Sequence, residues 1–411
     1  MALQRLVLIK YACFTERTEL ELAPITVLFG RNHSGKSALA RSLRVLETGF
    51  GTNAAVPLDL AALGDDAPEF IDLVPDRLSH GRVAVEFGFE EADVSATIQS
   101  VVDEGAAQVV SDWRLLSDHT DLRLRWDFEQ QASQGLRTYL VSEGDRPPRS
   151  AAIAFRGLTP EGTGLPFEIQ LPKYPSVRMM GPFRSPMARR TRLSSVAPAL
   201  DPEGRQTATI LINDHARGSG EVIGLVNDYL EKQLADWRLE VRPQYDGYSV
   251  RLRSVINRNL SVAATDSGTG VTQLLPLLVL RAQDEVAPPM SEVIEVVEEP
   301  ELHLHPAAQS ALADMYIDAA QAQANLRFLV ETHSETLLLR LRRRVAEGTF
   351  DPARLALYYI ENDGRRSTAR RVVVDDRGDV NWWPDGIFSE DFAEVRQIAL
   401  AQRNRLENDA H

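Results

Sequence analysis

The chain has 411 residues, 44% of them hydrophobic and 25% charged, which gives a globular protein room for two or three packed units. Its formal net charge of −14 excludes a generic nucleic-acid-coating surface, since counterion release needs a basic face, but leaves room for a local basic patch. No apolar run approaches the ~20 residues of a membrane span, and the single cysteine, Cys13, excludes an internal disulfide framework.

The first residues enter an alternating pattern with no signal-peptide layout; with one cysteine, this points to a reducing cytoplasm and no membrane. Leu3, Leu6 and Leu8, then Leu20 and Leu22, predict two strands around a turn at residues 15–17. Residues 25–29 form a short apolar run that reads as a buried strand. Gly30, Arg31, Asn32, His33, Ser34, Gly35, Lys36 and Ser37 then fit G-x-x-x-x-G-K-[ST], and Ala38 opens a predicted helix over 38–48. This is a P-loop in the strand–loop–helix context that the motif requires. Its glycines let successive N–H groups turn inward around phosphate oxygens, and the helix aims its positive end at the same place. Lys36 is expected to reach the β- and γ-phosphates, and Ser37 to sit on Mg²⁺.

Residues 49–67 read as a long loop. Strand patterns follow at 82–90, 121–128, 136–142, 151–156 and 166–171, a run of antiparallel β-structure inserted after the nucleotide lobe. Residues 178–205 look irregular and arginine-rich (Arg178, Arg184, Arg189, Arg190, Arg192), broken by Pro182 and Pro186. Helical spacing returns over 206–237, strands over 238–243 and 247–254, and α/β character from 265 to about 361. The economical description is an α/β fold split by an insertion. Residues 1–180 are an N-terminal lobe carrying the β-insertion, 181–255 an arginine-rich segment with a helical arm, and 256–411 a C-terminal lobe with an extension.

Three further stretches bear on the site. Residues 293–301 form an apolar strand ending in acids. Glu298 is assigned to magnesium and Glu299 to the attacking water. Glu295 is the lone polar residue inside that strand. Residues 328–330 begin another strand that ends in Glu331, Thr332 and His333, and a histidine at such a tip can hydrogen-bond the γ-phosphate and sense its loss. Ser267, Gly268 and Gly270 precede an apolar helix over 274–280, which reads as an anion site or as a plain capped helix.

In order and spacing, residues 26–37, 266–280, 293–306 and 328–344 resemble the Walker A, signature, Walker B and switch-histidine motifs of ABC-type P-loop ATPases. The resemblance is to the SMC/RecF/OLD-like branch, carried best by EEPELHLHP at 298–306 and ETHS at 331–334. NWWPDGIF at 381–388 is similar to the W-P-x-G-F-F element of a group of bacterial ATPases. His33 stands where that superfamily usually carries glycine, and no Q-loop glutamine is assigned. The resemblance implies an SMC-like head that binds ATP and Mg²⁺ and forms a head-to-tail homodimer. The P-loop of one subunit would face Ser267, Gly268 and Gly270 of the other. It further implies a conformational switch controlling a separate effector in a bacterial defence or toxin-linked system. Alternatives are a RecF-type DNA-maintenance ATPase, a transporter subunit and an OLD-like nuclease.

Other residues carry competing readings. His303 and His305 near Glu301 suggest zinc or a structural role. Glu361, Asp375, Asp376 and Asp379 imitate the acid cluster of a Toprim nuclease, but two strands at 356–361 and 370–375 account for them better. Arg340, Arg342, Arg343 and Arg344 read as a solvated helix end or a contact to DNA phosphate or an acidic partner. Trp382 and Trp383 read as packing anchors, and Tyr11 and Phe14 as candidates for stacking on the base.

Overall fold

Side chains of a strand point alternately to its two faces, and the strand leading into the P-loop uses both. A computed structural model describes residues 2–51, 54–65, 67–101, 107–129, 136–144, 146–195, 199–233 and 236–384. In it β3 (Ile25–Gly30) is buried throughout. Val27 and Phe29 enter one apolar cluster, and Leu28 the other.

The sheet around β3 has the order β11-β15-β16-β3-β17-β18. Its strands are β11 (Ser176–Met180), β15 (Val293–Glu298), β16 (Leu326–Thr332), β17 (Leu355–Asn362) and β18 (Ser367–Val372). All pairings are parallel except that of the edge strand β18. Parallel strands covered on both sides read as continuous apolar runs. On one side lie α4 (Thr269–Val286), α5 (Pro306–Ala322) and α6 (Glu335–Ala346), and on the other α1 (Lys36–Glu47).

A nine-stranded antiparallel sheet covers α1 from outside. It contains β1 (Leu3–Ile9), β2 (Thr18–Glu21), β4 (Arg82–Phe89), β5 (Ala92–Val101), β6 (Ala107–Ser117), β7 (Thr120–Trp126), β8 (Arg137–Glu143), β9 (Arg149–Arg156) and β10 (Thr159–Glu161). Leu39, Leu43 and Leu46 of α1 are thereby held between Leu6, Val85 and Val94 of this sheet and Leu28, Val296 and Leu329 of the P-loop sheet. A small sheet of β12 (Trp237–Gln244), β13 (Gly247–Ser254) and β14 (Ser261–Ala263) completes the α/β P-loop fold with its antiparallel insertion.

The structure corrects several expectations. Residues 166–171 are not a strand: Pro166 and Pro172 bracket them, and proline cannot donate to a ladder. β5 and β6 add two strands whose small and polar outer residues hid the alternation. β11 lies at the start of the stretch expected to be irregular; its centre is Arg178, whose charge is answered inside the protein. The expected helical arm is two helices laid on the core, α2 (Thr207–Arg217) and α3 (Glu221–Gln233). Their Ile210, Leu211, Val226 and Leu230 are buried in the same cluster as Leu274 and Leu278 of α4. Within the C-terminal element, residues 385–388 lie outside the described residues. Trp383 stacks on Phe29 with ring centroids 5.2 Å apart, and Trp382 Nε1 donates to Arg371 O at 2.9 Å, so both tryptophans anchor packing.

Candidate functional site

The carboxyl ends of β3, β15 and β16 lie side by side, the usual place for a ligand in an open α/β sheet. The turn out of β3 needs glycine twice. A Cβ on Gly30 (φ 153°) would lie 2.1 Å from Ile360 O, and one on Gly35 (φ 98°) would lie 2.6 Å from Cys13 Sγ. His33 also has left-handed backbone (φ 61°), which is why glycine suits this position. His33→Gly is expected to raise stability by about 0.5–1 kcal/mol in urea unfolding, the relief of strain exceeding the added chain entropy. A loss of stability would mean that the imidazole itself contributes.

Lys36 is 3% exposed, and its ammonium donates to Gly30 O (3.2 Å) and Arg31 O (2.8 Å). Burial lowers its pKa, opposed by the charges of Glu331, Glu299 and Glu301. Residues Asn32 to Ala38 line one side of a cavity of about 470 Å³, and Glu299, Glu331 and His333 line the other. Ser37 Oγ donates to Glu331 Oε1 at 2.8 Å. Burial pushes the Glu331 carboxyl up to about 7, against the Ser37 hydrogen bond and with the help of Glu298. His333 is pushed down to about 4, by burial first and by Lys36 second, so its ring is neutral near pH 7 and one ring nitrogen can accept. His333 Nε2 lies 3.8 Å from Glu299 Oε1, and the His333 N–H donates to Glu301 Oε1 at 2.6 Å.

Among the described residues, Glu299, Glu331 and His333 are the group arranged to hold a metal ion, with one ligand atom from each within 4.8 Å of the others. Among the described residues, Glu331 Oε2 and Ser34 Oγ are buried without a partner. An orphaned carboxylate oxygen suits a hard cation, and an orphaned hydroxyl within the P-loop suits a phosphate. The residues therefore fit a Mg·triphosphate.

The family model described as AAA ATPase domain matches residues 196–338, a span that takes in Ser267, Gly268, Gly270, Glu298, Glu299, Glu331 and His333. The chain is an ATPase. No curated protein matches it. Similar solved structures include the SMC head domain from Thermotoga maritima, at 12% identity and TM-score 0.43, covering 90% of this chain and 99% of that one. Another is the Smc head domain with an extended coiled coil bound to the C-terminal domain of ScpA derived from Pyrococcus furiosus, at 12% identity and TM-score 0.46, covering 90% and 96%.

The ATPase places its other expected residues less uniformly. Glu298 pairs in register with Glu331 on the next strand but does not line the cavity. Arg41 of α1 holds its carboxylate with a two-pronged hydrogen bond (2.5 and 2.6 Å), and the Glu298 side chain is 2% exposed. The carboxylate that meets Ser37 is Glu331, whose place became readable only with the parallel pairing of β16 and β3. Ser267, Gly268 and Gly270 lie outside the cavity lining of their own chain. Ser267 Oγ donates to Ala264 O at 2.6 Å, and a Cβ on Gly268 would meet nothing within 4 Å.

Tyr11 and Phe14 are 2% and 0% exposed and belong to the core, so neither is available to stack on a base. His305 Nδ1 accepts from Ala307 N as the N-cap of α5, and neither His303 nor His305 joins a metal-ligating group among the described residues. Asp375 closes its own turn by accepting from the Arg377 and Asp379 N–H groups, and no Toprim-like cluster forms among the described residues.

Most of these arginines, buried or exposed, have partners within the ATPase's own chain. Arg178 pairs with Asp284, Arg189 with Asp266, Arg192 with Asp246, Arg340 and Arg344 with Asp314, and Arg343 with Glu347. Arg342 donates to Gly378 O at 2.9 Å. Glu295 is answered as well: it is buried against Arg281 and Arg178. Among the described residues no helix is long and apolar enough to cross a membrane.

Proposed function

We propose that this ATPase is a conformational switch of the SMC/RecF/OLD-like branch that binds Mg·ATP between two copies of itself. In this reading Gly30, Arg31, Asn32, His33, Ser34, Gly35, Lys36, Ser37 and Ala38 cradle the phosphates, Glu299 polarises the attacking water and His333 hydrogen-bonds the γ-phosphate. Ser37 takes the Mg²⁺ together with the acids at the strand ends. Glu298 serves there once Arg41 releases it, and Glu331 is already beside Ser37. Bound Mg²⁺ would neutralise charge on the β- and γ-phosphate oxygens.

The observation that carries the reading is the single cavity closed by the P-loop on one side and by Glu299, Glu331 and His333 on the other. The signature residues Ser267, Gly268 and Gly270 are absent from that lining, with open space at Gly268, which suits their use by a second copy. Residues 1–180, 181–255 and 256–411 then act as two ATPase lobes and a connecting segment. By resemblance the switch serves as the sensor or regulator of a bacterial defence or toxin-linked system, acting in the cytoplasm on a separate effector. The arginine clusters lend no support to a DNA-maintenance role, since ion pairs and backbone acceptors within the chain engage most of them.

Glu299→Gln tests the reading. Its turnover is expected to fall at least about 100-fold, while ATP with Mg²⁺ shifts the protein to a dimer in size-exclusion chromatography with light scattering. Parental turnover would remove Glu299 from its role, and a variant that stays monomeric with ATP would remove the sandwich.

A further inference from the structure

Arg184, an arginine from the irregular stretch, is 2% exposed and pairs with no carboxylate among the described residues. A guanidinium taken out of water must be answered by well-placed acceptors. Its acceptors are backbone oxygens at the heart of the site. Nη2 donates to Glu298 O (3.0 Å) and Glu299 O (3.1 Å), and Nη1 donates to Gln273 O (3.1 Å). Gln273 replies with its side chain: Oε1 accepts from the Arg184 N–H at 3.1 Å, and Nε2 donates to Arg184 O at 2.8 Å.

Glu299 has left-handed backbone (φ 44°), a conformation that costs a long side chain roughly 1–3 kcal/mol and persists only where its surroundings enforce it. Three sets of contacts enforce it here. The Glu299 N–H donates to Glu331 O at 2.8 Å, its carbonyl accepts from the Leu302 N–H at 3.1 Å, and Arg184 grips the two carbonyls on either side of the bend.

We propose that Arg184 is a positioning residue for hydrolysis, which fixes the Glu299 peptide and ties it to α4. The proposal rests on the reading of Glu299 as the residue that polarises water. Gln273 lies about one turn into α4, whose first residues follow the open segment at Gly268. A displacement of that end, such as a second copy docking there would cause, reaches the Glu299 carbonyl through one glutamine and one guanidinium. Lysine cannot replace this arrangement, because a single ammonium lacks the planar fork that spans the Glu298–Glu299 carbonyls and Gln273 together.

The test compares Arg184→Lys and Gln273→Ala, each alone and combined with Glu299→Gln, in the full chain. Arg184→Lys is expected to lower kcat about 30-fold, with KM and the Kd of a fluorescent ATP analogue within about twofold of the parent, since sub-ångström misplacement of a catalytic group costs rate rather than binding. In nucleotide-free protein, exchange of the Glu299 amide is expected to speed up about tenfold. Gln273→Ala keeps the guanidinium, so a smaller loss of about fivefold is expected; it carries the test if the lysine variant does not fold. Neither change should reduce the residual rate of Glu299→Gln further.

An unchanged kcat, an unchanged Glu299 exchange rate, or a full further loss in the Glu299→Gln background would overturn the proposal. Parental turnover by Glu299→Gln alone would instead overturn the assignment of Glu299, leaving the amide-exchange result to report on Arg184 separately.

Discussion

Lys36→Ala is expected to weaken ATP binding at least about 100-fold, measured by calorimetry or by displacement of a fluorescent nucleotide, with ATP turnover lost in parallel. The size follows from what surrounds the ammonium. It is 3% exposed, and its hydrogen bonds go to Gly30 O and Arg31 O, two neutral acceptors that a phosphate can replace. Glu299, Glu331 and Glu301 are close enough to act on its charge. Without the lysine, the triphosphate meets those acids with one cation fewer, and Mg²⁺ and backbone N–H groups alone would offset them. Two charge-assisted hydrogen bonds at about 1.5–3 kcal/mol each exceed the 2.7 kcal/mol that a hundredfold change requires. Lys36→Met, which keeps the apolar stem, should bind as poorly as the alanine variant while unfolding near the parental temperature. Retention of parental affinity by both variants would show that the nucleotide does not sit in the loop.

How much of this site was legible beforehand depends on how far each feature reaches along the chain. The P-loop is local: β3, the glycines and α1 follow one another within about twenty residues, and their order alone predicts their geometry. The pattern ending in Glu298 and Glu299 was legible for the same reason. The partner of Ser37 was not, because Glu331 reaches it only through the parallel pairing of β16 with β3, between residues about three hundred apart. Arg184 stood out from its arginine-rich neighbours in no way, because the backbone carbonyls that satisfy it leave no mark in composition. Tyr11 and Phe14 were misread: aromatic rings beside a loop suggest stacking, but a nine-stranded sheet folds over them.

The second large effect is expected in the buried charges between β11, α4 and β15. Arg178 and Arg281 meet Asp284 and Glu295 there, two cations against two anions. Arg178 holds Asp284 with bonds of 2.7 and 2.8 Å and reaches Glu295 at 3.2 Å, and Arg281 contacts both acids. Arg281 and Glu295 are each 1% exposed. Removing one member leaves an uncompensated charge out of water, so Arg281→Met is expected to cost about 3–5 kcal/mol in urea-induced unfolding. Removing an opposite pair leaves the remaining charges balanced, with the two-pronged Arg178–Asp284 bond intact. The double variant Arg281→Met with Glu295→Leu should therefore recover to within about 1–2 kcal/mol of the parent, a coupling that only neighbouring residues show. If the two losses simply added, the four groups would not act as one balanced unit. The position of the network gives it a second consequence. α4 starts at the open glycine segment, and β15 ends at Glu298, so the network pins the body of the helix to the strand that presents the acids. The double variant is expected to keep its stability while letting the two elements slide, and its ATP turnover should fall more than its unfolding midpoint suggests.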